Sequence, residues 1–263
     1  MIRFLGVILL LTFIHSTFAQ SQIQYIANEG ILISIDENNI LIDAIFDDYY
    51  KQFSAPSEKT INNLNSKKTP FENIDLLLIT HAHLDHFNAS MIGDFVIAHD
   101  ETRIICTNQA LDSLVLNKEV FNQIEPRVKG VNSSKEWQTH STKNIQVKTT
   151  FVRHGGEQNY NVDNHVYLIE CEGKTLLHIG DAEMDINHFN HLDLENSNID
   201  VALVPFWFLA FPPGVEILNS KIKPKKIIGI HYPKVGDPKT LQMIKSNFPD
   251  ATVFQTEGEK IEF

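Results

Sequence analysis

Between residues 76 and 90 the chain reads LLLITHAHLDHFNAS. An apolar run stops, and three imidazoles and a carboxylate follow within six positions: His81, His83, Asp85 and His86. Imidazole nitrogen and carboxylate oxygen are common ligands of zinc and of similar borderline divalent ions. His81 and His83 stand at i and i+2, a spacing that lets a tight loop direct both rings at one ion. Asp85 and His86 follow about one turn later and suit a second ion. Groups of this kind beside a buried run are costly to strip of water without a partner, so the stretch points to metal chemistry. Three more apolar runs end alike: VKTTFVR at His154, followed by Gly155 and Gly156; TLLHIG at Asp181; and KKIIGI at His231. Asp181 has two oxygens and can bridge two ions. By contrast, His99, His140, His165, His178, His188 and His191 read as ordinary hydrogen-bonding residues, with His178 a core histidine inside its strand.

Strands must position these groups. Apolar, β-branched runs bounded by turn residues predict them. Residues 30–46 read as a hairpin turning at Asp36-Glu37-Asn38-Asn39, and 74–80 as a buried strand. Further strands are expected at 102–107, 145–154, 165–170, 174–180, 199–206, 225–231 and 251–256. Helices are expected at 108–117, at 214–221 after Pro212-Pro213, and at 238–247 from Pro238. Side chains at the carboxyl ends of strands converge in α/β folds, which is where four of these runs end. Residues 47–70, 118–144 with Trp137, and the aromatic FWFLAFPPG at 206–214 have no clear period. Long loops of this kind serve function or stay disordered, and the aromatics of 206–211 read equally as core. The pattern is that of one α/β domain with two sheets.

The first residues are not read as fold. Arg3, an apolar run from Phe4 to Ile14, and Thr17 and Ala19 before Gln20 make the pattern of a cleaved signal peptide over residues 1–19. The run is short against the roughly 20 residues of a membrane span, and no cysteine stands at the cut for a lipid anchor. Export to the periplasm or outside the cell is therefore expected, with a domain over 20–263 and no membrane span in the mature chain. The formal net charge of −11 becomes one unit more negative when Arg3 leaves. Such a surface repels nucleic acid and anionic membranes, which leaves a small-molecule substrate as the expected partner. Cys106 and Cys171 read as small buried residues, with a disulfide as the alternative in an oxidising compartment.

Together THAHLDHF (80–87), VRHGG (152–156), HIGDAE (178–183) and IGIHYP (228–233), in this order, resemble the metallo-β-lactamase fold hydrolases. ILIDA (40–44), with Asp43, is similar to that family's first motif. The resemblance implies a four-layer αβ/βα sandwich of two mixed sheets flanked by helices, with the site at one edge between the sheets. It places His81, His83 and His154 on a first metal and Asp85, His86 and His231 on a second. Asp181 would bridge them, and Asp43 would orient a ligand or the loop. It further implies two zinc ions, with iron or manganese as other occupants. A hydroxide held by the metals would attack an ester, lactone, thioester or phosphodiester, with Asp85 orienting it. His188, His191 and Tyr232 are conceivable proton donors. Asp181 stands where β-lactamases of this fold place cysteine or another non-bridging residue. His83 stands where flavin-linked iron members carry glutamate. The acidic charge departs from the nuclease members. Two further departures are Gly180-Asp181-Ala182 in place of GDT, and ANEG (27–30) in place of a Gly-His-Ala before the first hairpin strand. A mononuclear iron oxidoreductase on the same fold, or a non-catalytic binding protein, are the other readings, and the intact ligand set disfavours the latter.

Overall fold

The computed structural model describes residues 21–263; the signal peptide expected over 1–19 lies outside the described residues. Among the described residues, strands form two mixed sheets. The first holds β1 (Gln22–Ala27), β2 (Gly30–Ile35), β3 (Asn38–Ile42), β4 (Leu76–Ile79), β5 (Arg103–Thr107), β6 (Val128–Val131) and the last strand, β14 (Lys260–Glu262). Its order is β14-β1-β2-β3-β4-β5-β6. The second holds β7 (Gln138–Thr142), β8 (Ile145–Phe151), β9 (His165–Cys171), β10 (Lys174–His178), β11 (Val201–Pro205), β12 (Lys226–Ile230) and β13 (Thr252–Val253), in the order β13-β12-β11-β10-β9-β8-β7.

Side-chain alternation along each strand builds the layers. In β4, Leu76 and Leu78 face inward, joining Ile33, Ile40 and Ile42 against Tyr167, Ile169, Leu203 and Ile230 of the other sheet. Leu77 and Ile79 face outward. There they meet Leu64 of α1 (Glu58–Asn65), Ile92 and Phe95 of α2 (Ala89–Ala98), and Leu114 of α3 (Asn108–Val115). On the second sheet Leu177, Ala202 and Val204 meet outer helices, among them α5 (Ile186–Phe189), α6 (Phe206–Ala210), α7 (Pro212–Ile217) and α8 (Pro238–Asn247). Both faces of β4 are covered, which is why its sequence is continuously apolar. The order helix, sheet, sheet, helix is the expected four-layer sandwich.

Several expectations change in detail. The β2–β3 turn is only Asp36-Glu37, since Asn38 and Asn39 already pair with Ile35 and Ser34. Residues 47–70 contain α1, capped by the Ser57 side chain. Residues 118–144 hold α4 (Lys118–Ile124), β6 and β7. FWFLAFPPG is helical: α6, then the start of α7. The helix expected at 214–221 begins two residues earlier, where Pro212 supplies a fixed φ suited to a first turn. Cys106 packs in the outer layer and Cys171 between the sheets. Both thiols are free and buried, so the disulfide alternative is not realised.

Candidate metal centre

The elements bring the ligand-type residues to one edge. Strands β3 and β4 are parallel and release Asp43 and Thr80-His81 side by side. On the second sheet β8, β10 and β12 share one direction and release His154, Asp181 and His231. Gly180 makes one close approach possible. Its φ is +54°, and a Cβ there would lie 2.3 Å from Asn164 Oδ1 and 2.9 Å from Thr80 Cβ. Asn164 Oδ1 in turn accepts from the Asp181 N–H at 3.0 Å.

Asp43, fully buried, organises the histidine loop. Its Oδ1 accepts from the Thr80 N–H at 2.8 Å, and its Oδ2 accepts from the Thr80 hydroxyl and from His86 Nδ1, the latter at 3.0 Å. Because Thr80 Oγ1 donates to Asp43, it accepts from His81 Nδ1, 2.9 Å away. One carboxylate thus fixes Nδ1 as a protonated nitrogen of both His81 and His86 and turns each Nε2 toward the site, where the neutral ring presents its lone pair. His154 Nδ1 donates to the Gly155 carbonyl at 2.7 Å, which frees its Nε2 in the same way.

Those free atoms surround Asp181. Its Oδ2 lies 3.3 Å from His231 Nε2, 3.5 Å from His154 Nε2 and 3.9 Å from His81 Nε2, while Oδ1 lies 3.6 Å from His86 Nε2. His83 Nδ1 is 3.1 Å from His154 Nε2, and Asp85 Oδ2 is 3.6 Å from His231 Nε2. Donors about 2.0–2.2 Å from a shared ion stand roughly 3–4 Å apart, so these separations suit coordination. Four overlapping groups have ligand atoms within 4.8 Å of one another, among them His81-His83-His154-Asp181 and Asp85-His86-His231. His81 Nε2, both nitrogens of His231 and Asp181 Oδ1 are buried without hydrogen-bond partners. Such orphans each cost about 1–3 kcal/mol, and a bound cation is what this donor set fits.

The electrostatics separate His86 from the other rings. Burial, with the neighbouring imidazoles, pushes His81 well below its ordinary value and His83 down to about 4, and burial lowers His154 too. These rings are neutral at pH 7, with lone pairs available. Burial also opposes charge on His86, but Asp181, Asp85 and Asp43 outweigh it and raise it to about 9, so without a cation in the site this ring is an imidazolium, and a metal ion must displace its Nε2 proton to be ligated. Burial works against the Asp181 anion as well, yet His231, His86 and His81 hold its carboxyl well below the usual range.

The centre forms the floor of a cavity of about 680 Å³, within the size range of small-molecule sites. Tyr50, Gln52 and Phe53 supply one wall and Met184, Trp207 and Pro213 another. Phe53 and Trp207 pack edge-on against the His231 ring at 4.2 and 5.1 Å. Gln158, Asn159 and Glu183 complete the rim, and among the described residues no lysine or arginine lines the cavity.

All eight residues singled out in the sequence therefore meet at one edge. The conceivable proton donors do not line the cavity: His188 and His191 line a separate small recess, and Tyr232 donates its hydroxyl to the Asp237 carbonyl at 2.9 Å. His178 is a satisfied core residue, accepting from the Gly180 N–H at 3.2 Å and donating to the Glu29 carbonyl at 3.3 Å. The sequence reading missed Asn28, whose Nδ2 donates to Asp85 Oδ2 at 3.1 Å, and Glu29, fully buried beside His86. Their signal was the departure at ANEG.

Residues 38–212 match a family model described as the beta-lactamase superfamily domain. The chain belongs to that superfamily. A metal-dependent hydrolase of Thermococcus onnurineus is 28% identical over 200 residues, covering 72% of this chain and 81% of that one. Among solved superfamily-like folds, a possible metal-dependent hydrolase from Veillonella parvula aligns with a TM-score of 0.68 at 18% identity, over 93% of this chain and all of that one. A diiron β-hydroxylase from Streptomyces venezuelae aligns at 0.60 with 13% identity, over 93% of this chain and 54% of that one. A metallo-beta-lactamase fold protein from Bacillus subtilis aligns at 0.60 with 12% identity, over 93% of this chain and all of that one, which shows the fold.

Proposed function

We propose that this chain is an exported hydrolase of a small, uncharged carbonyl substrate, an ester, lactone or thioester, working through two zinc ions. The coarser statement, a metal-dependent hydrolase of the β-lactamase superfamily, rests on family membership and on the relatives' shared description. The observation that carries the finer one is the convergence of six ligand-type side chains around Asp181, with orphaned polar atoms among them. His81, His83 and His154 would hold the first ion; Asp85, His86 and His231 the second; Asp181 both. When bound, such ions lower the pKa of water toward neutrality and polarise a carbonyl oxygen. The residues do the rest. Asp43 and Thr80 hold the imidazoles in the ligating tautomer. Asp85, steadied by Asn28, accepts a hydrogen bond from the attacking water and holds the proton it gives up. Phe53, Trp207 and Met184 take the apolar part of the substrate. A cavity lined by no lysine or arginine among the described residues, in an acidic chain, favours carbonyl esters over phosphodiesters.

A panel of aryl esters, lactones, thioesters and aryl phosphodiesters tests this. Turnover of the carbonyl substrates, abolished by Asp181→Ala, is expected. Turnover of phosphodiesters alone, or unchanged turnover in Asp181→Ala, sinks it. Export is tested separately: a mature protein beginning at Gln20 is expected.

A further inference from the structure

Glu29 lies in the turn joining β1 to β2, and none of the motifs assigns it a role. The residue is fully buried, and neither carboxylate oxygen has a hydrogen-bond partner. Oε2 is 4.0 Å from His86 Nδ1 and 4.0 Å from His178 Nε2. Neither ring can serve it. His86 Nδ1 donates to Asp43, and His178 has both nitrogens engaged, with the Glu29 carbonyl and with Gly180. One Glu29 oxygen, one His86 nitrogen and one Asp181 oxygen lie within 4.8 Å of one another. The backbone holds the side chain there: a Cβ at Gly30 would come within 2.8 Å of the Asp43 carbonyl, so the turn packs directly on the strand end that carries Asp43. Burial, then Asp181 and Asp43, raise the Glu29 carboxyl well above its ordinary range, so it is neutral in the ion-free chain, and a cation at this point is what would let it ionise and ligate.

We propose that Glu29 is a further oxygen ligand of the second ion. This rests on the two-ion reading above and makes the two positions unlike. The first is rich in imidazole: His81, His83 and His154. The second is rich in carboxylate: Glu29 and Asp85, with the shared Asp181, beside His86 and His231. Carboxylate oxygen suits manganese, whereas imidazole suits zinc. Manganese therefore belongs at the second position when both metals are offered.

The test uses the purified full chain, stripped by chelator and titrated with Mn²⁺ alone and Zn²⁺ alone, with ions per chain and affinities read by calorimetry. The wild type takes up two ions. Glu29→Gln, nearly the same shape, keeps the first and binds the second about 10–100-fold more weakly, the range for losing a group that supports a metal site. The loss is larger for Mn²⁺ than for Zn²⁺. Glu29→Asp, which withdraws the carboxylate by one carbon, weakens the second ion in the same direction, and retention of the first ion reports folding in both. Without any variant, equimolar loading of the wild type gives the resonance of an isolated Mn²⁺. A coupled Mn²⁺ pair overturns the preference. Equal second-ion affinity in wild type and variants overturns the assignment of Glu29 and leaves two-ion binding standing. A wild type that takes up fewer than two ions overturns both.

Discussion

Asp43→Asn is a nearly isosteric change with a large expected effect. Asp43 accepts three hydrogen bonds, from the Thr80 N–H, the Thr80 hydroxyl and His86 Nδ1–H. An amide has one acceptor oxygen and one donor nitrogen in place of two acceptors. If the oxygen faces the Thr80 N–H, the NH₂ opposes His86 Nδ1–H. It also turns the Thr80 hydroxyl toward His81, so that both rings are driven to the tautomer with Nε2 protonated and unable to ligate. If the amide turns over, its NH₂ meets the Thr80 N–H and loosens the loop. Either orientation loses at least one charge-assisted bond, worth about 1.5–3 kcal/mol. That converts to about 10- to 150-fold weaker metal binding, since 1.4 kcal/mol is about tenfold. Calorimetric titration of the stripped protein with Zn²⁺ reads it, with circular dichroism to confirm folding. Wild-type affinity for both ions in a folded Asp43→Asn variant would refute the tautomer argument.

Three further outcomes are expected. Burial holds His165 at about 4 against an ordinary 6.5, so its contribution is complete above pH 6.5 and is lost as pH falls through 4. This amounts to about 3 kcal/mol, and melting temperature should drop over that window less steeply in His165→Asn than in the wild type. Gly180→Ala places a Cβ at φ +54° against Asn164 and Thr80. It should destabilise by about 1–3 kcal/mol and weaken metal binding through the Asn164–Asp181 contact; an unchanged melt would be inconsistent with that packing. Phe53→Ala and Trp207→Ala should raise KM for aryl esters several-fold with smaller changes in kcat, and equal effects on an acetate lacking the aryl group would argue against an apolar wall.

The candidate ligand set was legible because its chemistry is concentrated. Three histidines and an aspartate after LLLI, and three more strand ends closing on His154, Asp181 and His231, have few other uses. The core strands were legible for a related reason: strands buried on both faces are continuously apolar. What escaped was set by contact rather than pattern. Glu29 in Asn-Glu-Gly looks like a solvated turn residue, and only the fold of the β1–β2 turn onto Asp43 buries it. Tyr50, Gln52 and Phe53 lie in a segment without period and gain a role by folding over His231. The edge strand β7, QTHST, alternates between intermediate and exposed positions and has no apolar face to announce it. Helix α2, ASMIGDFVIA, is apolar around most of its circumference, so it lacks the amphipathic stripe by which a helix is read.

The proposed mechanism requires a pair of ions shared through Asp181. The most direct test is the metal content of protein purified without added metal or chelator, counted per chain by elemental mass spectrometry. The account predicts about two zinc ions per chain, falling below one in Asp181→Ala. A single iron per chain, or no metal in a folded chain that also takes up none on reconstitution, would contradict it.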